Sequence, residues 1–252
     1  MLESHSKRIC TFFAVDYHPQ IGYATKLSEA VQSIQGKLNA PHWGFGQAAY
    51  VLRNPEQRFL LTMDFRRIGC QTLYLDTWEK GLDDYGSLVR MALDKIGIKT
   101  VKRLGFKTVA FLPLGMSHAE MCDLVFGSFL LPASDLQDIA NDPEDALVQI
   151  HGSYKNMKTV LVVAPMTVEQ AARQFMATPN LEHFIEPKLL DTGAKEFRDR
   201  LDSDCFFVDV DMFRTDAQVS DLPFFLKDSL QGALHLSEQA VRRLRGLRPN
   251  RD

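Results

Sequence analysis

The chain has 252 residues, 45% of them hydrophobic and 24% charged, which is ordinary globular composition. Its net charge of -3 argues against non-specific nucleic-acid binding as the main task, since that task leaves a strongly basic domain. Length allows one large domain or two small ones, and a chain this long buries enough surface to fold without staples.

Residues 9–17 are rich in β-formers and stop at His18-Pro19, which reads as a strand and a turn. Residues 24–36 place Leu27, Ala30, Val31 and Ile34 at helical spacing, with Gly36 as a stop. Phe45 to Arg53, Arg58 to Arg66 and Gly69 to Asp76 read as three strands on short connections, hence antiparallel. Thr77 is placed to cap a helix to about Ile96, with Leu82, Tyr85, Val89, Leu93 and Ile96 on one face.

The second half repeats this order. Residues 101–112 form a strand, and Ser117 caps a helix to about Phe126. Leu147–Tyr154 and Lys158–Ala164 form two strands about a short turn, and Thr167–Met176 a short amphipathic helix. Residues 177–203 are polar and irregular in pattern and read as an insertion. Cys205–Phe213 is a strand, and a last helix runs from about Asp221 to Gly246. The expected fold is therefore α+β: two similar strand–helix–strands–helix halves, 1–100 and 101–252, sharing one core. The sheet is mostly antiparallel and the long helices pack on one face.

Cys10, Cys70, Cys122 and Cys205 are far apart, with no C-x-x-C pair, and read as reduced structural thiols. The residues from Met1 to Arg8 do not make a signal peptide, and the apolar stretch after them is broken by Asp16. Runs such as Val160–Ala164 fall far short of the ~20 residues of a membrane span, so a cytoplasmic location is expected.

Asp209 and Asp211, with Asp204 just before them, form the most suggestive acidic group. On a strand the two carboxylates share one face, about 7 Å apart, where they could hold a divalent cation. Phe206, Val208, Val210 and Met212 occupy the other face, so a half-buried strand with a polar outer side explains the same pattern. No phosphate-binding loop accompanies the pair. His42-Trp43-Gly44-Phe45-Gly46 is followed by a strand rather than a helix, and reads as a loop or bulge.

No two of the seven histidines have local metal-ligand spacing. His118 and Cys122 are one helical turn apart, with Glu120 pointing elsewhere and no second ligand pair. Arg242, Arg243, Arg245, Arg248 and Arg251 make a basic patch that suits a phosphate backbone or an acidic partner, or a solvated helix end. The pairs Phe12-Phe13 and Phe206-Phe207 put a ring on each sheet face. The second face is then covered by the other half, by another subunit or by the monomer's own core.

Three segments together resemble a sporadically distributed bacterial family of unknown function and similar length. They are Tyr74-Leu75-Asp76-Thr77-Trp78, Arg103-Leu104-Gly105-Phe106-Lys107 and Val208-Asp209-Val210-Asp211-Met212-Phe213. The chain departs from that family at Lys107-Thr108, where Arg-Tyr is usual. The resemblance brings no established catalytic residues; separately, no cofactor is expected. It implies a setting among defence or mobile-element genes.

Three functions are consistent with these readings. The first is a non-enzymatic binding or assembly protein that self-associates or joins a protein partner. The second is a metal-dependent enzyme acting on nucleotides or nucleic acid through Asp209 and Asp211. The third is a nucleic-acid-binding module built on the C-terminal arginines.

Overall fold

The computed structural model describes residues 7–19, 22–38, 42–46, 49–54, 58–73, 82–129, 145–184, 190–201 and 203–244. The strands are β1 (Lys7–Asp16), β2 (His42–Gly46), β3 (Ala49–Asn54), β4 (Phe59–Met63), β5 (Arg67–Leu73), β6 (Thr100–Pro113), β7 (Val148–Tyr154), β8 (Met157–Met166) and β9 (Cys205–Gln218). The helices are α1 (Tyr23–Leu38), α2 (Leu82–Ile96), α3 (His118–Phe129), α4 (Val168–Met176), α5 (Leu190–Leu201) and α6 (Leu222–Leu244). All nine strands join one sheet in the order β2-β3-β4-β5-β1-β6-β9-β8-β7. Every pairing is antiparallel, and β1 and β6 lie side by side near the middle. The α+β class and the antiparallel sheet are as the sequence indicates.

Side-chain alternation divides this sheet into two faces. One face carries Phe13, Val15, Phe59, Leu61, Leu104, Phe106, Phe206, Val208 and Val210, buried in a single cluster with α1, α2, α3 and α6. The other carries Cys10, Leu73, Phe111, Ala164 and Phe207, buried against α4 and α5. Phe13 and Phe206 belong to the first cluster, while Phe12 and Phe207 belong to or pack on the second. The doubled rings therefore face both ways, and this chain's own helices cover the second face at one end. In that cover Phe197 of α5 stacks on Phe175 of α4 at 4.6 Å and meets Phe111 edge-on at 5.3 Å. Such ring pairs add to the free energy of area burial.

Two segments differ from the sequence reading. The single strand expected over Phe45–Arg53 is a hairpin of β2 and β3, with His42 opposite Arg53 and Gly46 opposite Ala49. Its two connecting residues, Gln47 and Ala48, carry none of the glycine or asparagine that marks a tight turn. The loop expected at 42–46 is therefore itself a strand. Within 177–203, Leu190–Leu201 is a helix rather than an irregular insertion. Its buried residues include Phe197 and Leu201, one turn apart, on an otherwise charged segment whose stripe is thin. The N-terminal part of the helix expected from Thr77 lies outside the described residues, as do the turn at 55–57 and residues 245–252.

Close approach of α6 to the sheet depends on Gly232, where a Cβ would come within 2.5 Å of Met212 and 2.7 Å of Tyr154. The start of β9 is fixed differently. The Asp204 carboxylate accepts the His118 N–H of α3 at 3.0 Å on one oxygen and the Val168 N–H of α4 at 3.1 Å on the other. One side chain thus satisfies first-turn donors of two helices and complements both dipoles. Thr167 and Gln170 complete a capping box on α4. Asp204→Ala is expected to lower stability by about 1–3 kcal/mol. Thermal unfolding followed by circular dichroism should register this as a fall of roughly 3–8 °C in Tm.

Candidate functional site

Beyond the reach of α4 and α5, the second sheet face is mainly charged, with Phe213 the ring among the charges. In β6 the alternation brings Arg103, Gly105 and Lys107 to this face, and in β9 Asp209, Asp211 and Phe213. In β1 it brings Asp16, opposite Arg67 of β5 and Arg103 of β6. Asp209 and Asp211 therefore do share a face, with Phe206, Val208, Val210 and Met212 buried behind them.

Each carboxylate has a cation. Lys107 Nζ is 2.7 Å from Asp209, and Arg103 is 3.5 Å from Asp211 and 4.0 Å from Asp16. Arg67 donates through both Nε and Nη2 to Asp16, a two-pronged carboxylate contact. Arg103 also lies 5.0 Å over the Phe213 ring. Its side chain runs along the strand across Gly105, where a Cβ would come 2.9 Å from Nη1. Glycine at 105 is what lets the guanidinium lie flat between Asp16, Phe213 and Asp211. Two of the three segments that carry the family resemblance, 103–107 and 208–213, thus build this face together.

Asp209 is the strained member. Its Oδ1 is buried without a hydrogen-bond partner, and its side chain is 15% exposed. Burial pushes its carboxyl above the usual range, Asp211 adds to that, and Lys107 opposes it. Arg67 and Asp16 have no local motif, and the 103–107 segment does not by itself pair Arg103 and Lys107 with any carboxylate. Only the strand register reveals them as partners of the acidic pair.

The basic patch at the C-terminus is partly engaged. Arg242 pairs with Glu238 one turn earlier at 3.0 Å, and Arg243 Nε donates to the Ser128 carbonyl of α3 at 3.5 Å. Arg245 and Arg248 lie outside the described residues. The four cysteines are buried. Burial pushes the Cys10 and Cys205 thiols up to about 12 and raises Cys70 and Cys122, the opposite of what a nucleophile needs. No helix among the described residues is long and apolar enough to cross a membrane. No protein-family model matches the chain, and no curated protein does, so the resemblance stands on its three segments alone.

The Asp209 geometry sets a stability experiment. A raised folded-state pKa means that the group's contribution is most favourable below the unfolded carboxyl value of about 3.9. That contribution is lost as pH rises through the folded value. At pH 7 the charged form sits in a place that disfavours it. Asp209→Asn should therefore leave stability unchanged or raise it by up to about 1 kcal/mol at pH 7, with the advantage gone near pH 4. Urea unfolding at the two pH values reads the difference.

Proposed function

We propose that this chain is a non-enzymatic assembly protein whose sheet is extended by a second copy of itself through β7. The observation that carries this reading is the open edge of the sheet at β7. Among the described residues no strand pairs with its outer side. Residues 149–153 are all exposed, and Ile150 and the adjoining Leu147 are 39% and 62% exposed. Proteins usually protect such an edge with lysine, proline or a bulge. The strand Val-Gln-Ile-His-Gly-Ser-Tyr has no lysine, no acidic residue and no proline.

The same composition favours a second copy as the occupant. An antiparallel pair about a two-fold axis sets residue i of one copy against residue j of the other and j against i, so a strand with charges of one sign would repel its copy. This strand has no lysine, arginine or carboxylate. The strand order supports two related halves in one sheet, with the strands of 1–99 on one flank of the β1–β6 pair and those of 100–252 on the other. The ionic face offers fixed charges of both signs, suited to setting orientation in an assembly rather than to supplying affinity. The resemblance adds a bacterial setting, as a subunit or regulator in a defence or mobile-element system.

Metal-dependent catalysis at Asp209 and Asp211 has less support, because Lys107 and Arg103 already stand against the two carboxylates. Nucleic-acid binding by the C-terminal arginines has less still, with Arg242 and Arg243 held by Glu238 and Ser128.

Light scattering coupled to size exclusion tests the assembly. The chain should run as a dimer at micromolar concentration, and Ile150→Lys should run as a monomer with unchanged circular dichroism. A strict monomer in the unmutated chain removes the proposal. Calorimetric titration with Mn²⁺ tests the enzymatic alternative, for which heat must appear and be lost in the Asp209→Asn/Asp211→Asn double variant.

A further inference from the structure

Away from the ionic face, the fold brings a third side chain to the helical pair His118 and Cys122. His118 is the first residue of α3, and Cys122 follows one turn later on the same side. Asp145 arrives from the segment that leads into β7. Its Oδ1 is 3.9 Å from His118 Nε2, and Cys122 Sγ is 3.8 and 3.9 Å from the two ring nitrogens. One donor atom from each of the three residues falls within 4.8 Å of the other two. Among the described residues this is the one group of three or more such ligands.

We infer that His118, Cys122 and Asp145 form a binding site for a zinc-class divalent cation, with three protein ligands and an open fourth position. Zinc bonds of about 2.0–2.3 Å in a tetrahedron place donor atoms about 3.3–3.6 Å apart. The sulfur–nitrogen separation needs to close by a few tenths of an ångström, and the widest of the three, within 4.8 Å, by about 1 Å, which a rotation of the exposed Asp145 side chain supplies. The donor set also selects the metal. A thiolate and an imidazole suit zinc, whereas magnesium and calcium take all-oxygen sites.

The shell around the trio is already ordered. Asp145 Oδ1 accepts its neighbour's Ala146 N–H at 2.8 Å, and the His118 backbone is held by Asp204. Glu120, which lies between the two helical ligands in sequence, is committed elsewhere. Its carboxylate accepts both the backbone N–H and the hydroxyl of Ser117 at 2.8 Å, capping α3. The ligands differ in access: Cys122 is 4% exposed, whereas the Asp145 side chain is 63% exposed and leaves the open position facing solvent.

A cysteine–histidine–aspartate nucleophile is the rival use of the same residues, and the geometry disfavours it. A relay puts the thiol on one ring nitrogen and the carboxylate on the other. Here the sulfur is almost equidistant from both nitrogens and buried from any substrate.

Cobalt is the probe, because a thiolate ligand gives a charge-transfer absorption and a tetrahedral site gives intense visible bands. Added to the metal-free full chain, Co²⁺ should bind at one equivalent with both signatures and be displaced by Zn²⁺. Cys122→Ser should abolish the charge-transfer band. His118→Gln should weaken binding about 100-fold and Asp145→Asn about tenfold. Absence of the bands in the unmutated chain overturns the proposal, as does a band that persists in Cys122→Ser. If Cys122→Ser fails to fold, the other two variants decide: unchanged cobalt affinity in both overturns the site, and the stated losses support it. The result is independent of the dimer experiment.

Discussion

The pairing of β6 with β9 is the contact on which the rest of the molecule depends. Both strands run for fourteen residues, from Thr100 opposite Gln218 to Pro113 opposite Cys205. Their register decides what stands beside what on both faces at once. On one side it aligns Phe106 with Met212 and Ala110 with Val208 beneath α6 and α3. On the other it aligns Phe111 with Phe207 beneath α4 and α5, and Lys107 with Asp211 beyond them. A slip of β9 by one residue would turn its apolar residues to the other face and place Asp209 and Asp211 in the apolar layer. The ion pairs are therefore selected along with the core.

The transition from rings to charges along a single face gives the sheet two kinds of surface. Where α4 and α5 lie, the strands contribute Phe111, Phe207 and Ala164, and area burial provides the stabilisation. Where the helices stop, Arg103, Lys107, Asp209 and Asp211 satisfy one another across strands. An ion pair reached by solvent on both sides, such as Arg103–Asp211, adds little to folding free energy. Asp209, with an orphaned oxygen, works against it. A face built from such groups costs stability or is neutral to it, a pattern found where a surface is kept for a purpose other than folding.

What could be read from the sequence follows from how local the cause is. Strand alternation is local, so the shared face of Asp209 and Asp211 and the opposed rings of Phe12 and Phe13 were legible. Helical spacing is local, and the stripes of α1 and α6 were legible for that reason. The β2–β3 hairpin was not, because its Gln47-Ala48 connection carries no turn chemistry. The helix α5 was not, because charge masks its stripe around Phe197 and Leu201. The partners of Asp209 and Asp211 were out of reach for a different reason. Lys107 and Arg103 lie roughly a hundred positions away in the chain, and only long-range register brings them close. The same holds for Asp145, whose approach to His118 and Cys122 no spacing rule contains.

Asp204 has a mechanical consequence. The helix it holds through His118 packs on one side of the sheet, and the helix it holds through Val168 packs on the other. A carboxylate is planar and stiff, so its two oxygens cannot follow diverging movements. Tilting α3 tugs on the opposite layer around the sheet's end, and the two layers are geared together at a single tooth.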